Sequence, residues 1–152
     1  MPFDPQAYGP EVAAILALDG CTPAEARQRL KAADPRRLFP DARAPEAAMA
    51  GLYLYFGCWS DAHEIAQNIE TPEGSYWHAI VHRQEPDAAN SAYWFRQVGA
   101  HPIFPALARI AGVARWDPLE TPVTLELQRA EWQLLFDYCA RRGAGSAREN
   151  AP

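Results

Sequence analysis

The chain has 152 residues, and its 49% apolar and 22% charged residues are usual values for a globular protein. A net charge of −5 and the lack of any basic run argue against nucleic acid or an anionic membrane surface as a partner. No apolar run approaches the ~18 residues of a membrane-spanning helix. The first residues lack the basic and apolar regions of a secretory signal, so the sequence predicts a cytoplasmic protein.

Helix signals recur along the chain, whereas strand signals are almost absent. Fourteen prolines, close to twice the usual ~5%, lie between the apolar segments and mark helix ends. Thr22-Pro23-Ala24-Glu25 is a capping box, and AAMAGLYLYF is apolar almost all round, as expected of a central buried helix. The predicted helices cover residues 10–18, 22–33, 45–56, 61–70 (capped by Ser60 or Asp61), 72–84, 88–98, 102–113 and 124–142.

The fold class that follows is all-α, with seven or eight short helices packed as successive hairpins in a single domain, residues 1–142. Residues 143–152 are expected to form a flexible tail. The segments LYLYFGCWSDA and AIVHRQEPDAA share a layout, an apolar helix end followed by Asp-Ala, at an offset of 26 residues. This echo indicates a loose likeness to helical-repeat proteins, although a tetratricopeptide unit is longer, at about 34 residues.

All four histidines lie within 39 residues, and two of them, His78 and His82, are four apart on one predicted helix. If the helix 61–70 packs antiparallel on the next one, His63 lies level with His82, and His78 lies level with Gln67. The three imidazoles then converge, with Glu64 beside His63. This set predicts a divalent-metal site with an open position, where Glu64 is the general base for a metal-bound water.

A second interpretation needs no metal. A histidine pair near a helix end can bond to neighbouring carboxylates or carbonyls, and Glu64 in a first helical turn is favoured by the helix dipole. The sequence is also not H-E-x-x-H, because Gln67 occupies the fourth position after His63.

The charged segment RQEPD, residues 83–87, separates two helices. Asp87 is expected to be an N-cap, with Asn90 at the third helical position. In the functional interpretation this hinge lines the mouth of a ligand pocket that also contains His78 and His82. Arg83 or Arg96 then clamps an anionic group, and Asn90 hydrogen-bonds the same ligand.

The aromatic residues of this region are expected to be core rather than a cofactor site, because adjacent helical residues point in different directions. His101 is interpreted as a helix cap or a surface residue. Cys21, Cys58 and Cys139 are odd in number and far apart, and are expected to be free and buried. Cys58, one turn before His63, has a second interpretation as a thiol nucleophile.

The block YWHAIVHRQEPDAANSAYWFRQVGAHPIF, within residues 38–107, resembles a group of bacterial proteins with more distant fungal relatives. The resemblance covers about half of the chain and implies no particular activity. Three hypotheses on function follow from the residues. The chain is a small-molecule or metal-binding protein, with enzymatic activity left open; or an interaction module that presents a groove to a peptide or protein; or a structural protein with a buried polar network.

Overall fold

The computed structural model describes residues 3–18 and 20–142, and the fold of that part of the chain is all-α, as predicted. Within these residues there is no strand, and one isolated bridge pairs Ala42 with Arg142. A short 3-10 helix, Pro5–Tyr8, precedes the α-helices. These are α1 Pro10–Leu16, α2 Pro23–Lys31, α3 Pro35–Leu38, α4 Pro45–Tyr55, α5 Trp59–Gln67, α6 Pro72–Gln84, α7 Ala88–Val98, α8 Phe104–Ala111 and α9 Leu125–Ala140.

Several helices end up to three residues before the predicted positions, and three larger differences concern where helices begin. The four-residue helix α3 was not predicted; Asp34 ends one helix and also caps this one, by accepting the N–H of Arg36. Helix α5 begins at Trp59, ahead of the predicted start, and has no side-chain cap; Asp61 lies within its first turn and forms an ion pair with Arg27. Helix α8 begins later than predicted, so Pro105 lies in its first turn, where proline causes no kink.

Helix α4 is the centre of the core, as its apolar sequence predicts. All residues from Ala47 to Leu54 are buried. Gly51 lets another helix approach closely, since a Cβ there would lie 2.8 Å from the ring of Trp77. The buried apolar residues form one cluster that draws on every helix from α1 to α9.

Helices α4 to α7 pack each against the next, which is the hairpin succession that the sequence predicts. The turn from α5 to α6 is tight: a Cβ on Gly74 would lie 2.3 Å from the carbonyl oxygen of Ile69. Ser91 joins α7 to α6 by donating its buried hydroxyl to the carbonyl of Ala79, at 2.9 Å. Together these contacts fix the faces that α5, α6 and α7 present to one another.

Several helix starts carry the caps that the sequence predicts. Thr22 forms a capping box with Glu25, and Thr71 and Thr124 accept hydrogen bonds from backbone N–H groups of α6 and α9. Asp87 caps α7 by accepting the backbone N–H of Asn90. The Thr71 and Asp87 caps fix where α6 and α7 begin, and therefore which residues of each helix face the other.

Within the described residues, no helix combines the length and apolar character needed to cross a bilayer. All three cysteines are free; Cys58 and Cys139 are buried, whereas Cys21 is partly exposed. The prediction of a tail at 143–152 concerns residues outside the described part.

Candidate metal centre

Two of the clustered histidines come from α6. His78 and His82 are four residues apart and therefore project from one face of the helix. Both are buried, with 4% and 9% of their surface exposed. Their rings stack, with centroids 4.9 Å apart and 24° between the ring planes. The helix thus holds two parallel imidazoles in a place that water barely reaches.

The third histidine, His63, arrives from α5. Its Nε2 lies 3.0 Å from Nε2 of His78, so that one ring donates an N–H and the other accepts it. Its ring stands edge-on to both others, with centroid distances of 4.5 Å to His78 and 5.2 Å to His82. One ligand nitrogen from each residue lies within 4.8 Å of the other two. The structure therefore brings together the three histidines that sequence reasoning placed in one groove.

Trp94 of α7 forms one wall of this cluster. Its ring stacks on His78 with a centroid distance of 4.0 Å and an interplanar angle of 21°. The Nδ1 atom of His78 is buried and has no hydrogen-bond partner among the described residues. A buried nitrogen without a partner is uncommon and needs a physical reason.

Burial and the two neighbouring imidazoles lower the pKa of His78 to about 4. Burial acts first, because a charged ring loses its hydration there; His63 and His82 then add repulsion whenever they are protonated. His78 is therefore a neutral ring near pH 7, which is the form that binds metal ions.

Two carboxylates lie near the third ring. Nδ1 of His82 is 3.6 Å from Oε2 of Glu85 and 3.7 Å from Oδ2 of Asp87. Asp87 is held by its cap, since its Oδ2 also accepts from the Asn90 side chain at 2.7 Å. The Asn90 hydrogen bonds also lower the pKa of Asp87, so this group is a carboxylate near neutral pH. At these distances neither carboxylate hydrogen-bonds the ring, and Nδ1 of His82, like Nδ1 of His78, is buried without a hydrogen-bond partner among the described residues.

The other predicted site residues lie elsewhere. Glu64 is exposed and is not part of the group of three ligand atoms. Asn90 is exposed and is engaged with Asp87, as described for the cap. Arg96 is exposed and lines a pocket between α7 and α8. The anion-binding set of His78, His82, Arg83, Asn90 and Arg96 is thus distributed over several environments.

Arg83 belongs to a second buried cluster, on another face of α6. Its guanidinium forms an ion pair with Oε1 of Glu131 in α9, and lies over the ring of Phe95 at 5.5 Å. Oε2 of Glu131 accepts the hydroxyl of Tyr76 at 2.8 Å. Glu131 is fully buried. The pKa of Tyr76 lies well above its usual value, first because the Tyr76 hydroxyl is itself buried and second because the charge of Glu131 lies beside it. The positive charge that was expected to clamp an anion is already paired.

Two further sequence hypotheses are corrected by burial. His101 is buried, not a surface residue: its Nδ1 accepts the N–H of Ile103 at 3.3 Å, and its Nε2 lies 3.2 Å from Glu73. Cys58 is not an activated thiol, because burial raises its pKa, and its sulfur lies 3.3 Å from the carbonyl oxygen of Pro23. The interpretation of Cys58 as a buried structural cysteine is the one that the structure favours.

Sequence reasoning missed Trp94 and Glu131, although both left a signal. His78 is eight residues before Pro86 and Trp94 is eight after it, so an antiparallel α6–α7 pair places them at one level. Glu131 falls four residues after Leu127, on the stripe that was predicted to be the apolar face of α9. An acid on an apolar stripe indicates a buried partner of opposite charge.

Comparisons with known proteins add nothing to this geometry. No family model matches the chain, and no similar protein was found among curated proteins or solved structures. The resemblance to a bacterial group therefore stays a prediction. What the histidine cluster binds has to be inferred from its own chemistry.

Proposed function

We propose that this protein binds a divalent transition-metal ion, with zinc as the reference case, through His63, His78 and His82. The observation that carries the proposal is the set of three imidazole nitrogens, one from each residue, within 4.8 Å of one another. Imidazole nitrogens suit zinc, copper, iron and nickel, whereas calcium and magnesium take oxygen ligands. Three protein ligands leave a fourth position of a tetrahedral ion open.

The distances support this assignment. With Zn–N bonds of ~2.0–2.1 Å, ligand nitrogens of a tetrahedral ion lie about 3.3 Å apart. Nε2 of His63 and Nε2 of His78 are 3.0 Å apart, so a separation of a few tenths of an ångström makes room for the ion. His82 has to approach further, since the longest of the three separations is bounded only by 4.8 Å.

Charge and protonation also favour a cation here. His78 carries no proton that a metal would have to displace near pH 7, because its pKa is about 4. Three neutral rings leave the double positive charge of the ion uncompensated. The carboxylates of Glu85 and Asp87, near Nδ1 of His82, supply a nearby negative charge.

The test is a metal titration of protein produced without a histidine tag and stripped with a chelator. We expect Zn²⁺ to bind with 1:1 stoichiometry in calorimetry. We also expect Co²⁺ to give the intense visible absorption of a tetrahedral ion. Binding of zinc only to the folded chain stabilises it by about 2.7 kcal/mol when free zinc is 100 times Kd.

Matched variants locate the site. His63→Ala, His78→Ala and His82→Ala should each lower the affinity for Zn²⁺ by at least about tenfold, as expected when one of three ligands is lost. Gln67→Ala, on an exposed position of the same helix as His63, is the control and should leave binding unchanged. Absence of stoichiometric Zn²⁺ and Co²⁺ binding by the folded wild-type chain would refute the proposal.

A further inference from the structure

A pocket of about 500 Å³ lies between the end of α7, α8 and the loop that follows α8. Its volume lies within the 300–1,000 Å³ of common small-molecule sites. The apolar part of the wall includes three aromatic rings, and the polar part includes two arginines. These lining residues are Phe95, Phe104, Trp116, Arg96 and Arg115.

The two arginines are available for a ligand. Arg96 and Arg115 are exposed, and neither makes an ion pair or hydrogen bond with any other described residue. This differs from Arg83, which is neutralised by Glu131. Since Arg96 is on α7 and Arg115 is in the loop after α8, the two charges reach the pocket from different elements.

The remaining titratable groups of the pocket limit the ligand's charge. Asp117 lines it too, although one of its carboxylate oxygens accepts the N–H of Leu119 at 2.9 Å. The ring of His101 is engaged on both sides, because Nδ1 accepts the Ile103 N–H while Nε2 faces Glu73. Two guanidinium groups and one carboxylate leave a surplus of one positive charge.

We propose that this pocket binds a monoanionic organic carboxylate that has an apolar or aromatic body. The planar guanidinium matches a carboxylate in a bidentate arrangement. The partly exposed Phe104 and the exposed Leu119, beside the nearly buried rings of Phe95 and Trp116, supply the apolar surface for the body. A dianion such as a phosphate monoester fits less well, because the carboxylate of Asp117 in the lining reduces the surplus to one positive charge. The proposal is independent of the metal centre, since the two sites share no residue.

The experiment uses 2-naphthoate as the probe, with 2-naphthamide as its neutral counterpart of the same shape, on metal-stripped protein. We expect 2-naphthoate to bind once per chain with a Kd between about 10 µM and 1 mM. The amide should bind at least about tenfold more weakly, because it cannot form the charged pair. Perturbed amide resonances in nuclear magnetic resonance spectra should include those of Trp116 and the end of α7.

Variants separate this pocket from other arginines and from a metal-bound carboxylate. Arg96→Gln and Arg115→Gln should each weaken 2-naphthoate binding about fivefold to tenfold. The expected effect is modest because both guanidinium groups are exposed to solvent, which weakens charge interactions. The control Arg109→Gln removes an exposed arginine of α8 that does not line the pocket, and should have no effect. His63→Ala should also have no effect, because His63 does not line this pocket. That result would exclude a carboxylate bound through the metal centre.

Three results would overturn the proposal. The first is the absence of 2-naphthoate binding at millimolar concentration to folded wild-type protein. The second is equal affinity for the acid and the amide, which would indicate an apolar cleft without anion recognition. The third is an equal effect of Arg109→Gln and the pocket variants, which would indicate only long-range attraction.

Discussion

Helix α6 carries two buried polar clusters that differ in how their groups are matched. On one face, Tyr76 and Arg83 bond to the two oxygens of Glu131, so that every oxygen of the carboxylate has a donor. On the other, His78 and His82 meet a third imidazole, His63, and a nitrogen of His78 stays without a partner. The first cluster combines opposite charges, whereas the second combines three copies of the same group.

This difference indicates which cluster is a candidate for function. In the first cluster both carboxylate oxygens of Glu131 are paired and join α6 to α9, although Nε and Nη1 of Arg83 are buried without a hydrogen-bond partner among the described residues. The three imidazoles do not satisfy one another, because they make a single hydrogen bond, between His63 and His78, and Nδ1 of both His78 and His82 is buried without a partner among the described residues. The rings also repel one another when protonated. A metal ion is the partner that suits all three at once. The following variants test whether the clusters differ in this way.

The largest effect is expected for Glu131→Gln, which keeps the shape of the side chain and removes its charge. Arg83 would then be a mostly buried cation without a counter-ion, and we expect a loss of about 3 kcal/mol in the free energy of unfolding. Urea denaturation measures it. Glu126→Gln, at an exposed position of the same helix, is the control and should cost less than about 1 kcal/mol. A small effect at Glu131 would contradict the structural assignment of this cluster.

The second effect is a dependence of stability on pH. The pKa of His78 is about 4 in the folded chain and ~6.5 when unfolded, so between these values the unfolded chain binds more protons. Stability is therefore complete above pH 6.5 and is lost as the pH falls towards 4. We expect a loss of about 2 kcal/mol at most between pH 7 and pH 5 for metal-free protein.

Urea denaturation at several pH values, in wild type and in His78→Gln, measures the contribution of this ring. The variant should show a flatter pH profile over the same range. If the two profiles coincide, His78 is not the group whose protonation opposes folding.

A smaller effect is expected when His63→Ala is made without metal. The substitution removes an imidazole that repels its neighbours when protonated, but it also leaves the His78 ring with one contact fewer. We expect the free energy of unfolding to change by less than about 1 kcal/mol, which is well below the loss for Glu131→Gln. A loss above 3 kcal/mol would show that the histidine cluster is itself a structural network.

The smallest effect concerns the carboxylates near His82. Asp87→Asn keeps a side chain able to cap α7 and removes the charge 3.7 Å from Nδ1 of His82. We expect stability to change by less than about 0.5 kcal/mol. The affinity for Zn²⁺ should fall by about fivefold, which is less than the loss expected when a carboxylate hydrogen-bonded to a ligand histidine is removed. Calorimetry measures the affinity. An unchanged affinity would show that Asp87 acts only as a helix cap.

The local part of the structure was accessible from the sequence because it depends on short spacings. The caps at Thr22 and Asp87 follow from residues three positions apart. The convergence of His63, His78 and His82 follows from a four-residue spacing on one helix and a tight turn to the preceding one. In both cases the chain itself brings the groups within a few ångströms.

The contacts of Arg83 and Asp61 could not be derived in that way. Glu131 lies 48 residues beyond Arg83, and their contact depends on how α9 is rotated about its axis. The ion pair of Asp61 with Arg27 depends likewise on the placement of α2. The sequence therefore predicted a cap at Asp61 and an anion clamp at Arg83, although each is paired with a distant residue on another helix.

The tight approach at Gly74 has a consequence for how substitutions in this chain should be understood. A methyl group at this position would collide with the backbone of Ile69 and force α6 away from α5. His63 is carried by α5, and the other two imidazoles by α6. An alanine at position 74, which touches no histidine, would therefore enlarge the gap that a metal ion has to bridge. The distance between the ligands of α5 and α6 therefore depends in part on Gly74, four residues before His78, whose side chain is only a hydrogen atom.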